Sequence, residues 1–320
     1  MITWGIVGNS HDASLAIFDN QDLKWAGLSK DFSGVPNDPD LNDSIIEHAL
    51  HYGKPTKVVW YERPFLKTLR QYWAGQGWLG KENNIRAYLK RWDITCKIEY
   101  TQHHLSHAAY AYYTQPHDDC AVICLDSIGE FETLTIWHGK NNKLKKIHTQ
   151  KYPHSLGLFY SAMTQRLGLI AQRDEYLVSQ WAEKGNPHTY SQMLMDEIVQ
   201  VEGMAFNPFI RMRENMHRGI GWWRPEIASK QELYDLAAAI QWVFEYCVCN
   251  ISAWTKKQTG CNNVAFAGGG AMNRSAINRT KQQFDTVWVP PNPGDPGSCI
   301  GAVLAKTQQR INGIDNIWFR

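Results

Sequence analysis

Hydrophobic and polar positions over the first 113 residues follow one order of elements. Three short alternating runs, TWGIVGN (3–9), ASLAIFDN (13–20) and DLKWAGL (22–28), predict a meander, with Asn20-Gln21 turning between the last two. Residues 43–52 carry helical spacing behind an Asp43 or Ser44 cap. KVVWYE (57–62) predicts a strand, 81–92 an amphipathic helix, CKIEYTQ (96–102) a strand, and 103–113 a helix.

The order then returns. CAVICLDSIG (120–129), ETLTIWHG (132–139) and KLKKIHTQ (143–150) form a second meander. Helices at about 156–168 and 231–258 follow, then strand 262–270, helix 271–283, strand 286–291 and helix 298–310. The expectation is two copies of one mixed α/β unit, residues 1–117 and 118–320, with a ligand cleft between them where strand-end loops converge. The Arg-, Trp-, Gly- and Pro-rich segment at about 170–230 reads as an insertion in the second copy.

Composition narrows the class. At 43% hydrophobic and 20% charged residues, the 320-residue chain has enough apolar surface to fold and is not of disordered type. The net charge of +2 announces no polyanionic partner, so any basic patch must be local. No apolar run approaches the ~18 residues of a membrane span, and the N-terminus lacks a basic stretch before an apolar one. The expectation is a cytoplasmic protein with no membrane partner. Seven Cys, an odd and scattered set, fit reduced thiols, and Cys247 and Cys249 read as core packing because neighbours two apart on a helix face different sides. Most of the 14 Trp are expected in the core or in pocket walls.

The strongest chemical signal is QHHLSHAAYAYY (102–113), which sets His103 and His107 four apart on one helix face, a spacing that suits a divalent metal. His104 points elsewhere and is expected to make a supporting hydrogen bond. Such a pair is more often structural unless a third ligand joins it. Asp295 supplies one, in PPNPGDPGSCIGAVL (290–304), where a strand ends in a Pro/Gly turn before a helix. Two imidazoles and a carboxylate leave positions open for substrate oxygens and suit Fe(II) first, with Mn(II) or Zn(II) as alternatives. AFAGGGAMNRSAIN (265–278) runs from a strand through Gly268, Gly269 and Gly270 into a helix, a place where backbone can approach a phosphate. Asp126, Ser127 and Gly129 form a similar turn in LDSIGE (125–130), expected to face the same nucleotide.

HHLSHAAYAYY, LDSIGEFET, PHSLGLFYSAMT, DLAAAIQWVFE, VAFAGGGAMN and PPNPGDPGSCIGA together resemble the O-carbamoyltransferase family of nodulation and antibiotic-tailoring enzymes, in order over nearly the whole chain. The resemblance implies the duplicated actin/Hsp70-like (ASKHA, RNase H-like) α/β fold, shared with tRNA threonylcarbamoyl-transferring proteins. It implies His103, His107 and Asp295 as metal ligands, and Gly268 to Gly270 with Asn273 as a nucleotide loop. Matching the family's opening turn, GIVGNSHDASLAIF places His11 and Asp12 near the reacting group. Three departures stand out. LSKDFSGVPND (28–38) replaces the family's EERF and basic pair, and RDEYLVSQWAEKGNP (173–187) keeps Glu175 and Tyr176 but loses the run that follows them in the family. Family members also continue into a YrdC-type domain that makes carbamoyl-adenylate from ATP and carbamoyl phosphate, which this sequence does not reach.

The expected activity is transfer of carbamoyl from carbamoyl-adenylate to an acceptor hydroxyl, with His11 as general base and His104 as second candidate. A separate YrdC-like protein is the expected partner. The alternatives are a tRNA threonylcarbamoyl-type transferase, a sugar kinase or ATPase of the same fold, and a non-catalytic nucleic-acid-binding module. Basic stretches with interleaved aromatics at 65–92 and 205–224 leave the acceptor open between a nucleic-acid base, such as a hydroxymethylpyrimidine in DNA, and a small hydroxylated metabolite.

Overall fold

A computed structural model describes residues 1–75, 83–201 and 209–318. Its first copy runs β1 (Ile2–Val7), β2 (Ser14–Asp19), β3 (Asp22–Leu28), α1 (Ser29–Ser33), α2 (Asp43–Leu50), β4 (Lys57–Trp60), α3 (Pro64–Trp73), α4 (Ile85–Lys90), β5 (Lys97–Tyr100) and α5 (His103–Tyr113). The second continues with β6 (Cys120–Gly129), β7 (Glu132–Lys140), β8 (Lys143–Lys151), α6 (Leu156–Arg166), α7 (Glu175–Ala182), α8 (Ser191–Glu197) and the short pair β9 (Val199–Gln200) and β10 (Arg211–Met212). It ends with α9 (Lys230–Thr259), β11 (Asn263–Ala267), α10 (Arg274–Thr280), β12 (Thr286–Trp288) and α11 (Ser298–Thr307).

The duplication read from periodicity is present in the pairing. One sheet is ordered β3-β2-β1-β4-β5 and the other β8-β7-β6-β11-β12. In each, the central strand is antiparallel to its hairpin partner and parallel to the strand that returns after a helical crossover. β6 shows why its sequence is apolar on both sides. Ala121, Ile123 and Leu125 enter the core with α6 and α9, while Cys120, Val122 and Cys124 face the core that holds α5 and α11.

α5 and α11 pack on each other, and close approach there depends on missing side chains. A Cβ on Gly301 would lie 1.9 Å from the Ser106 carbonyl oxygen. α11 and the segment behind it thereby join the core of the first copy, where Trp318 donates to the Tyr110 hydroxyl at 3.1 Å. Chain order and spatial grouping differ at this point.

Several boundaries move for local reasons. α2 is capped by Asn42, whose Oδ1 accepts from the Ile45 N–H at 3.1 Å, so Asp43 falls inside the first turn. The helix expected over 81–92 is α4, which begins at Ile85 and ends at Lys90, with 81 and 82 outside the described residues. The helix expected over 271–283 begins as a 3-10 turn, Gly269–Met272, before α10, and the Pro290-Pro291 pair ends β12 early. α3 was not foreseen, because its apolar face points outward. Contrary to the expectation from apolar runs, α9 is long and apolar enough to cross a membrane by composition. However, 72% of its most apolar window is buried inside the protein, as in a core helix. Cys247 is buried in that core and Cys249 half-buried.

Candidate active site

The cleft is assembled from four segments. α5 brings His103 and His107 one above the other, the end of β6 brings Asp126, the turn before α11 brings Asp295, and the turn after β1 brings Ser10. Asp295 Oδ1 stands 3.2 Å from His103 Nε2 and 3.3 Å from His107 Nε2, and the two Nε2 atoms are 3.1 Å apart. Asp126 Oδ2 is 3.3 Å from His103 Nε2. All four donor atoms therefore lie within 4.8 Å of one another.

Surrounding groups aim these donors inward. His107 Nδ1 meets the Ser298 hydroxyl at 3.2 Å, and Ser10 Oγ donates to Asp295 Oδ2 at 2.6 Å. Behind His103, Glu62 Oε2 lies 3.7 Å from Nδ1, and Lys67 Nζ holds Glu62 at 2.7 Å and donates to the Asn9 carbonyl at 2.9 Å. Gly129 leaves room for the imidazole, since a Cβ there would be 2.2 Å from His103 Cδ2.

Two mostly enclosed carboxylates against two buried imidazoles make a strongly coupled site. Burial alone would lower the His103 pKa, but Asp295 and Asp126 carry it well above its ordinary value. Burial likewise opposes ionisation of Asp295, yet the His103 and His107 rings hold it well below the usual carboxylate range. Asp126 is drawn to about 2 by His103 despite its burial. Two nitrogen and two oxygen donors converging in a buried cleft, with the far nitrogen of His107 engaged by a hydroxyl and that of His103 facing a carboxylate, fit a divalent cation. Fe(II), Mn(II) and Zn(II) all accept this donor set.

The glycine loop borders the cluster. Gly269 N–H points at Asp126 Oδ1 at 3.4 Å, so Asp126 joins the loop to the imidazoles. Gly268 adopts φ +86°, and a Cβ on it would lie 2.1 Å from the Leu125 carbonyl oxygen, whereas one on Gly269 would meet nothing closer than 3.6 Å. The requirement for glycine is thus set by Leu125 of β6 at Gly268 and Gly270, whereas a side chain on the exposed Gly269 would make only ordinary contact with Asp126. Asn273 caps α10 through the Ala276 N–H at 3.1 Å and exchanges hydrogen bonds with Gln241 at 3.0 Å, so its amide braces the loop from behind. Ser127 sits beside Asp126, its carbonyl accepting from Ser155 Oγ at 2.7 Å.

The remaining sequence candidates separate. Half-buried His11 follows Ser10 in the turn at the cleft, and Asp12 turns away to Lys30 at 3.0 Å. His104 is fully buried with Nδ1 on Thr135 Oγ1 at 2.9 Å and Nε2 on the Glu132 carbonyl at 3.1 Å, which leaves neither nitrogen to reach a substrate. Burial holds its pKa well below the ordinary value. Sequence reasoning missed Asp126 as a fourth donor of the cluster, and it missed Ser10, Glu62 and Lys67. A charged pair directly after the apolar run KVVWY was the available signal for Glu62.

The profile of the family described as Carbamoyltransferase N-terminus matches residues 59–304. The chain belongs to this family. An uncharacterized Synechocystis protein, sll1178, is 27% identical over 96% of this chain and 57% of its own length. The nodulation protein NolNO of Sinorhizobium fredii is 25% identical over 67% of this chain and 32% of its own length. This carbamoyltransferase-family chain spans little more than half the length of the first relative and a third of the second. Among solved structures, T. kodakarensis HypF superposes with a TM-score of 0.52 at 12% identity, over 99% of this chain and 49% of HypF. At that identity the likeness speaks for fold, which is of the actin/Hsp70-like duplicated type.

Proposed function

We propose that the cleft transfers a carbamoyl group from carbamoyl-adenylate, derived from ATP and carbamoyl phosphate, to an acceptor hydroxyl. The observation that carries this reading is the convergence of His103, His107, Asp126 and Asp295 beside the Gly268 to Gly270 loop. Membership of the carbamoyltransferase family supplies the group transferred. A divalent metal on these four residues would supply Lewis acidity toward phosphate and carbamoyl oxygens.

The protein's own groups have separable tasks. Gly269 presents open backbone for the adenylate, and the loop is held rigid from behind by the Asn273–Gln241 pair. His11, in the turn that also carries Ser10, takes the proton of the acceptor hydroxyl. The hydroxyl oxygen bonds to the carbamoyl carbon as the bond from that carbon to the adenylate phosphate oxygen breaks, and AMP leaves with the electron pair. Ser10 and Ser298 keep Asp295 and His107 in place throughout. A sugar kinase of this fold has no use for a buried histidine pair, which favours the transfer reading.

The test is mass spectrometry of hydroxylated acceptors, nucleic-acid bases and small metabolites alike, incubated with this protein, ATP, carbamoyl phosphate and a separate YrdC-type protein. Gain of one carbamoyl group is the expected result, slow or absent without the YrdC-type protein because the fragile adenylate must be delivered. Absence of any carbamoylated product when carbamoyl-adenylate is supplied overturns the proposal.

A further inference from the structure

Helix α3 is amphipathic the wrong way round. Its inward face carries Lys67 and Arg70, both buried, while Phe65 (77% exposed), Leu69 and Trp73 (62% exposed) follow i, i+4, i+8 spacing on its outer face. The inward face is committed to the cleft. Besides Lys67 on Asn9 and Glu62, Arg63 at its N-terminus grips Glu130, the residue after Gly129, through its backbone N–H at 2.8 Å and its guanidinium. α3 is therefore the lip of the site, with an apolar, aromatic outer surface.

The fold extends this surface with a segment distant in sequence. Trp73 stacks edge-on against Tyr152 at 5.5 Å, and Tyr152 against His217 at 5.8 Å. A Cβ on Gly75, just past α3, would stand 3.2 Å from the Arg218 guanidinium. The two basic, aromatic-interleaved stretches thus meet, although 76–82 and 205–208 within them lie outside the described residues. Across Phe209–Trp222, Arg211, Arg213 and Arg218 are exposed and make no ion pair among the described residues, against one exposed acid, Glu214. Trp222 is 64% exposed beside them.

We propose that α3 and Phe209–Trp222 bind a nucleic-acid strand and that the acceptor hydroxyl is carried on one of its bases; this rests on the carbamoyl-transfer reading of the cleft. Exposed rings stack on bases and uncompensated guanidinium groups hold phosphates, a pairing of chemistries that a small metabolite has no surface to use. Because His103 and His107 are buried, the modified base must leave its stack to reach the cluster, so an unpaired or extruded base is the ligand form.

Binding is measured without carbamoyl donor, by fluorescence anisotropy of labelled single-stranded DNA and RNA oligonucleotides at two salt concentrations. The wild type should bind with an affinity that falls as salt rises. Changing Arg211, Arg213 and Arg218 together to Glu, or Phe65 and Trp73 together to Ala, should each weaken binding at least about ten-fold, with cleft metal content unchanged and a cooperative thermal transition retained. The DNA and RNA arms identify the polymer. No oligonucleotide binding by the wild type, binding indifferent to both variants, or self-association that the Phe65/Trp73 variant abolishes would overturn the proposal. Oligonucleotide binding without carbamoylation of any acceptor refutes the transfer reading and retains the surface, whereas carbamoylation of small alcohols without oligonucleotide binding does the reverse.

Discussion

β1 and β6 hold the same central place in their sheets, yet the turns at their ends carry different chemistry. The turn after β1 offers Asn9, Ser10 and His11, that is amide, hydroxyl and imidazole groups, while the end of β6 offers the Asp126 carboxylate. β4 and β11 are also equivalent. β4 leads into the buried Glu62–Lys67 pair behind His103, and β11 leads into the glycine loop in front of Asp126. The last helix of each copy meets its counterpart along Ser106 and Gly301, one bringing both imidazoles and the other following Asp295. Duplication supplied matched positions around one cleft. Divergence then split the candidate donors, imidazoles from the first copy and carboxylates from the second, so that the four-residue cluster exists only where both copies meet.

The largest expected effect removes one side of that division. His107→Ala should lose bound metal and at least about 10²-fold in transfer while the fold persists, because the ring ends in the cleft. Elemental analysis reads the metal, and full occupancy in the folded variant would remove His107 from the donor set. Next is the contact that joins the copies. Gly301→Ala forces a methyl toward the Ser106 carbonyl, 1.9 Å from where its Cβ would stand, and should cost about 3 kcal/mol in urea unfolding. A loss below about 0.5 kcal/mol would mean that α5 and α11 separate freely.

Asp126→Asn sharpens the assignment of the second copy. If Asp126 is a donor beside His103, metal affinity should fall about ten- to a hundred-fold with nucleotide affinity less affected. Calorimetry showing the opposite order would return Asp126 to the nucleotide loop alone. The smallest effect concerns acid sensitivity. Burial beside Trp254, 5.5 Å away, holds the His148 pKa below its ordinary value, so the unfolded chain takes up the proton first. The stability it confers is present above about pH 6.5 and is lost as pH falls toward the lower folded value. His148→Phe should flatten the decline in unfolding free energy between about pH 7 and 5, and an unchanged slope would exclude this contribution.

Periodicity determined much of this molecule from sequence alone. The apolar run of β6, the alternation of β7, the span of α9 and the spacing of His103 and His107 are local properties, set by pleat and helical turn, and the structure keeps them within a residue or two. The repeat of element order was legible for the same reason. α3 was not, because its outward apolar face and inward cations make sense only once the cleft behind it exists. Tertiary structure alone decided that Asp126 and Asp295, 169 positions apart by their numbers, share one imidazole, and that His104 spends both nitrogens on β7. It also decided that residues near 70 and near 215 form one surface. Local pattern fixes what each segment can become, but which side chains meet depends on how twisted sheets and close glycine contacts bring distant segments together, and no sequence window contains that distance.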